Sequence, residues 1–183
     1  NYVNKFRPDS VHVFWDAPTK ALWRKSIYNK YKAHREQSQS MYEIDVPKAI
    51  KRQVLLSCLI LNDLNVRQYY RDSQEADDLI YAFTKQHPDD ENIIVSADGD
   101  FKQLSFRNQN IKIHNPLSKN KDLFESIPVR DPIMVKCLTG DKSDNIDGYY
   151  MVGPERSKIL IDDKQKLNEF FKSPKAVLLD DDG

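Results

Sequence analysis

Apolar residues fall along the chain in short runs of two different periods, and these runs alternate. Residues 11–15 (VHVFW) are a run of β-branched and aromatic residues closed by Asp16 and Pro18, which predicts a buried strand with Asp16 at its carboxyl end. Residues 21–35 follow the helical period, with Trp23, Ile27 and Tyr31 on one stripe and Arg24, Tyr28, Lys32 and Arg35 on another. The first stripe reads as packing surface. Residues 36–45 (EQSQSMYEID) show no period, and Pro47 then suits the first turn of a helix running to about Asn65. Its apolar positions are Ile50, Val54, Leu55, Cys58, Leu59 and Leu61. A strand over 66–70, a helix over 75–86, a strand over 93–96 ending near Asp98 and an alternating strand over 110–114 follow. From Asp131 onward the pattern is helical and punctuated by glycine, ending in a polar tail expected to fray. Strands alternating with helices predict an α/β fold with a mostly parallel sheet, whose sites form at the carboxyl ends of the strands.

Composition narrows the reading. The 183 residues are 39% hydrophobic and 31% charged, enough for a core beneath a densely ionic surface. Two cysteines 79 positions apart exclude a disulfide scaffold and a cysteine-rich zinc site. The longest apolar stretch, 54–61, is far short of the ~20 residues that span a bilayer. A soluble protein of a reducing cytoplasm is expected, with no membrane partner; for a viral protein that means the host cytoplasm.

Net charge is zero, but the charges are segregated. Lys20, Arg24, Lys25, Lys30, Lys32 and Arg35 fall in a stretch without a single acid. The acids gather in knots instead: Glu75, Asp77 and Asp78; Asp98 and Asp100; Asp141 and Asp144, with Asp16 alone. Taken singly, each knot has a plain structural explanation. Asp98-Gly99-Asp100 would be a turn, Glu75 and Asp78 would complement a helix dipole, and Asp141 and Asp144 would cap a turn. An extended backbone at 98–100 would set both carboxylates on one side. A strict helical wheel brings Glu75 and Asp78 together but not Asp77, an objection that weakens if Glu75 precedes the helix. An EF-hand reading of DGDFKQL fails because Lys102 takes a ligand position. A phosphatase reading with Asp16 as nucleophile fails because Pro18 replaces a second Asp.

Together, eight carboxylates without His or Cys demand a hard divalent cation to offset their repulsion, Mg²⁺ or Mn²⁺. Setting those eight aside leaves 28 basic against 20 acidic side chains, a basic remainder suited to a phosphodiester substrate.

These motifs also carry a resemblance. VFWDA (13–17), EADD (75–78), SADGDFKQL (96–104) and GDKSDNIDG (140–148), with the spacing of Arg24, Tyr28, Tyr31, Lys32 and Arg35, are similar in order and separation to the 5′-nuclease family. That family comprises flap endonucleases, bacteriophage 5′–3′ exonucleases and the nuclease domain of bacterial DNA polymerase I. The resemblance implies a PIN-like α/β core over 1–130, including a helical arch at about 18–45, and a helix-three-turn-helix DNA-binding module over 131–183. It implies a structure-specific 5′ nuclease acting during replication or repair, with two ions held by Asp16, Glu75, Asp77, Asp78, Asp98, Asp100, Asp141 and Asp144. Lys32 and Arg35 would meet the scissile phosphate, with Arg24 on the same face and Tyr28 stacking on an unpaired base. Lys20 and Lys25 from the cationic block, Gly148 and Gly153 from the hairpin, and Arg156 and Lys158 beyond it would contact DNA.

The partner implied is DNA with a free 5′ end, as a flap, a gapped duplex or an RNA–DNA hybrid. The protein would act as a monomer beside replication-fork proteins. A catalytically silent DNA-binding relative is the alternative. Two departures stand out. Met151 and Glu155 replace a glycine and a lysine of the family's hairpin, and the family's opening strand with its Asp has no counterpart, so a longer natural protein is expected.

Overall fold

In the computed structural model, residues 2–18, 22–33, 46–119 and 123–172 are described. The chain divides into two compact units, 1–86 and 87–183.

In the first unit, α1 (Tyr2–Phe6) precedes β1 (His12–Phe14), and β1 pairs in parallel with β2 (Arg67–Tyr69), His12 opposite Arg67 and Phe14 opposite Tyr69. Aromatic residues fill the layer between this pair and α4 (Ala76–Gln86). His12 and Phe14 meet Phe83 at ring-centroid distances of 4.5 and 5.6 Å, and Phe14 stacks on Tyr69 at 4.8 Å. Between β1 and β2 lie α2 (Trp23–Ile27) and α3 (Val46–Asp63). Gln68 ties α3 to the end of β1, accepting from the Trp15 indole at 3.0 Å and donating to the Cys58 carbonyl at 3.0 Å.

The strand and helix limits follow the sequence closely, but the helix expected over 21–35 does not form as one piece. It stops at Ile27, and Tyr28 is extended, with φ −136° and ψ 99°. Lys32 has a left-handed φ of 53°. The reason is a competing attraction. Along a continuous helix Arg24 and Lys32 would stand ~12 Å apart, whereas the break lets both reach Glu75. The packing stripe is corrected accordingly: Tyr31 is buried with Ala17 and Leu22, while Trp23 and Ile27 are exposed. Of the expected arch, residues 19–21 and 34–45 lie outside the described residues, and with them Lys20 and Arg35. The apolar face expected on α3 is largely uncovered: Ile50, Leu55 and Leu59 are exposed, and Cys58 and Leu61 are half-buried.

The second unit opens with β3 (Asn92–Val95), parallel to β4 (Ile111–His114), joined through a 3₁₀ turn (Gly99–Phe101) and α5 (Lys102–Arg107). Ile94, Phe101, Leu104, Ile111 and Ile113 are buried. Then α6 (Pro132–Thr139) starts at Asp131, whose carboxylate accepts the Ile133 N–H at 2.9 Å, with Pro132 in the first turn.

The helix ends at Gly140, whose φ of 76° suits glycine at a helix terminus. A small antiparallel hairpin follows, β5 (Gly140–Asp141) with β6 (Ile146–Asp147). The chain closes tightly here. A Cβ on Gly140 would lie 2.3 Å from the Gly148 nitrogen, and one on Gly148 would lie 2.3 Å from the Thr139 carbonyl carbon. Finally α7 (Pro154–Asp162) and α8 (Lys164–Lys172) pack Leu160 and Phe170 against Leu138 and Val152. The class expected from the sequence, α/β with parallel strands, is what both units display.

Candidate metal centre

Each unit gathers its acids and meets them with its own cations. In the first, Glu75 immediately precedes α4, so the helical wheel does not constrain it. Asp78 in the first turn reaches back to accept the Glu75 N–H at 3.1 Å, half of a capping box. Asp16, just past β1, accepts the Ala76 N–H at 2.7 Å at the same helix start, where the helix dipole favours anions.

Arg24 forks onto Asp78, with Nη1 to Oδ2 at 2.7 Å and Nη2 to Oδ1 at 2.8 Å, and also donates to Glu75 at 2.9 Å. Glu75 is 7% exposed and accepts from the Tyr31 hydroxyl at 2.7 Å and from the Lys32 ammonium. The Trp23 indole donates to Asp78 at 3.2 Å. Burial pushes Asp78 up, but Arg24, the Glu75 N–H and Trp23 outweigh it and hold its pKa below the ordinary value. Asp77 moves the other way. Burial pushes it up to about 6, the charges of Asp78 and Glu75 add to the rise, and Arg24 only partly opposes it.

In the second unit, Asp100, Asp141 and Asp144 each offer a carboxylate oxygen within 4.8 Å of the others. Three different backbone devices place them: the 3₁₀ turn after β3, the residue following the Gly140 cap of α6, and the hairpin turn. Asp98 does not point alongside Asp100 as an extended backbone would have it. Its carboxylate caps the turn, accepting the Asp100 N–H at 2.9 Å, because an Asp before a glycine readily closes on its own backbone. Ser143 donates to Asp141 Oδ1 through its hydroxyl at 2.6 Å and its N–H at 2.9 Å. The other oxygen, Oδ2, accepts from Lys136 at 2.5 Å, and the same ammonium also bonds Asp100. Burial pushes Asp141 up, yet Lys136 and Ser143 hold it at about 2. Burial likewise pulls Lys136 down, and the two carboxylates more than restore it.

The donors are all oxygen and three carboxylates converge, a set that fits a hard divalent cation, and a positively charged side chain already lies on two of them. The sequence assigns neither Lys136 nor Tyr31 to these groups. The available signal for Lys136 was a basic residue in the last turn of a helix, one turn before Gly140-Asp141.

The remaining expected residues are placed as follows. Tyr28 is half-buried and packs against Ala17, Leu22 and Tyr31. Lys25 is half-buried on α2. Gly148 is required by the close approach to Thr139, whereas Gly153 has open space and caps α7. Met151 takes a left-handed φ of 60°, and Arg156 donates to its carbonyl at 3.3 Å. Lys158 pairs with Glu155 at 2.6 Å.

Residues 1–133 match the family model described as the 5′-3′ exonuclease, N-terminal resolvase-like domain. The chain is 26% identical over 97% of its length to a 5′-3′ exonuclease of Mycoplasmopsis pulmonis and covers 59% of that protein. It is 27% identical over 94% of its length to a DNA polymerase I of Caldicellulosiruptor bescii, of which it covers 21%. It thus spans little more than half of the first and about a fifth of the second. Its fold is that of the bacteriophage T5 flap endonuclease solved as a pseudo-enzyme-product complex with DNA and metal ions, at a TM-score of 0.72, 19% identity, 87% of this chain and 62% of that one.

Proposed function

Because the chain belongs to the 5′-3′ exonuclease family with its N-terminal resolvase-like domain, we propose that it is a metal-dependent, structure-specific 5′ nuclease. Its reaction is the hydrolysis of phosphodiesters near a free 5′ end, in a flap, a gapped duplex or an RNA primer on DNA. The observation that carries this reading is the convergence of Asp100, Asp141 and Asp144 within 4.8 Å. Three carboxylates at that spacing could hold a divalent ion, and in-line phosphodiester hydrolysis is the chemistry such ions serve.

Asp100, Asp141 and Asp144 would hold one Mg²⁺ or Mn²⁺, oriented by Ser143 on Asp141 and by Asp98 on the turn that carries Asp100. Asp16, Glu75, Asp77 and Asp78 would serve a second ion. Bound metal supplies an activated water and charge stabilisation at the phosphate. Arg24 and Lys32, with Arg35, would neutralise phosphate oxygens when not engaged with Glu75 and Asp78. The helices Pro154–Asp162 and Lys164–Lys172 with the hairpin before them would form the helix-three-turn-helix module of a region beginning at 131, gripping duplex DNA through Lys158 and Arg156. The working site would be the cytoplasm, with the protein monomeric among replication-fork proteins.

The test is cleavage of a 5′-labelled flap with Mg²⁺, Mn²⁺ or chelator. Metal-dependent release of short 5′ products is expected, and no release with either metal sinks the reading. One observation favours the silent relative: Arg24, Lys32 and Lys136 already neutralise the carboxylates without metal. Flap binding with no cleavage, unaffected by chelator, would identify that case.

A further inference from the structure

The carboxylate group of the second unit already holds a cation of its own, the ammonium of Lys136. It bonds Asp100 Oδ1 and Asp141 Oδ2 at once, two of the three carboxylates that converge in the second unit. Its place is built in several ways. Lys136 lies in the last turn of α6, where the helix dipole favours a cation. The hairpin returns Asp141 directly past the helix end. Ser143 fixes Asp141 Oδ1 with two donors, so Oδ2 is the oxygen left facing the ammonium. Asp141 is 13% exposed but Lys136 is 41% exposed, on a flexible four-carbon stem with room to move outward. Ser143 holds Asp141 in place, whereas Lys136 reaches the pair from a more exposed, flexible stem.

We propose that Lys136 is a resident counter-ion of this carboxylate group, which a divalent metal must displace in order to bind. The proposal rests on the metal-site reading above. It names a positioning residue that holds the metal-free group together and, by competing for Asp100 and Asp141, lowers its affinity for metal. An ammonium and a divalent ion drawn to the same carboxylates repel each other, so each weakens the other's hold. In the absence of metal Lys136 offsets the mutual repulsion of three carboxylates.

The experiment is a Mn²⁺ titration of the intact chain without nucleic acid, following free Mn²⁺ by its paramagnetic resonance signal, with metal-free and Mn²⁺-saturated melting temperatures measured alongside. Lys136→Met should bind Mn²⁺ about tenfold more tightly than the wild type, the equivalent of one charge-assisted hydrogen bond no longer broken. It should also melt lower than the wild type without metal and level with it when saturated. Lys136→Arg should keep the weaker affinity, and Lys136→Met with Asp141→Asn should lose the gain. If Lys136→Met is unfolded without metal, Mn²⁺ should restore it, and failure to do so overturns the proposal. Equal or weaker Mn²⁺ binding by a folded Lys136→Met overturns displacement and leaves the metal site standing. No Mn²⁺ binding by any variant or the wild type overturns the metal site and the proposal with it.

Discussion

Substituting Glu75 by Gln separates two accounts of the acids beside α4. In the structure Glu75 is 7% exposed and accepts from Arg24, Tyr31 and Lys32. Glutamine keeps the shape and one acceptor oxygen, but its amide must point donors at Lys32 or at Arg24 and Tyr31. At least one charge-assisted hydrogen bond is lost, a cost of roughly 1.5–3 kcal/mol. Relief of repulsion from Asp77 and Asp78 opposes this. The attractions act at hydrogen-bond distance and the repulsions between carboxylates held farther apart, so loss prevails. Arg24 retains its fork on Asp78, which limits the damage. The net expectation is about 2 kcal/mol of destabilisation in the metal-free protein, or about 4–8 °C in melting temperature for a chain of this size. Thermal denaturation followed by circular dichroism in chelator, wild type against Glu75→Gln, is the assay. Melting of the variant at or above the wild type would show that the carboxylate is a net repulsive group kept only for metal, and the reasoning would fail.

Three further expectations are cheaper to test. Asp98→Asn with Asp100→Asn should cut flap cleavage by at least about a hundredfold while leaving circular dichroism and DNA affinity unchanged, since the amide oxygen of an asparagine at position 98 still caps the turn; full activity would refute the assignment. Asp141, held at about 2, binds fewer protons folded than unfolded, so its contribution of about 2 kcal/mol is complete above pH 4 and disappears as pH falls toward 2; urea unfolding of wild type and Asp141→Asn should therefore diverge at pH 6 and converge at low pH. Asp77, raised to about 6, has the opposite sign, and stability falls as pH climbs from 4 to 6. Asp77→Asn should raise the metal-free melting temperature above pH 6 and leave it unchanged below pH 4.

Where one local signal dominates, the sequence is a good guide. The run at 11–15 and the alternation at 110–114 became β1 and β4, and Asp131 with Pro132 marked the start of α6 to the residue. Asp141 and Asp144 of one knot come together with Asp100 of another, while Asp98 caps its own turn. The failures are cases in which a partner distant in sequence overrides the local pattern. Helical periodicity over 21–35 says nothing of a buried Glu75, 40 or more residues later, that draws Arg24, Tyr31 and Lys32 to itself and breaks the helix at Tyr28. The extended backbone at 98–100 fails for a smaller reason: one side-chain hydrogen bond closes it into a 3₁₀ turn. Lys136 carries no distinguishing mark in the sequence, because a basic residue near a helix end has an adequate local purpose in the dipole alone.

The meeting of Gly140 and Gly148 has a consequence for how this protein can vary. Each backbone fills the space a side chain on the other would need, and Gly140 adds a left-handed φ. Neither position can be changed first, so no path of single substitutions leads away from the pair. Two residues on, Tyr150 is 86% exposed and meets no such barrier. A saturation library across 138–152 should therefore return glycine alone at 140 and 148 and nearly the full alphabet at 150. The line between invariance and free drift would then fall within two residues, beside the turn that carries Asp141 and Asp144.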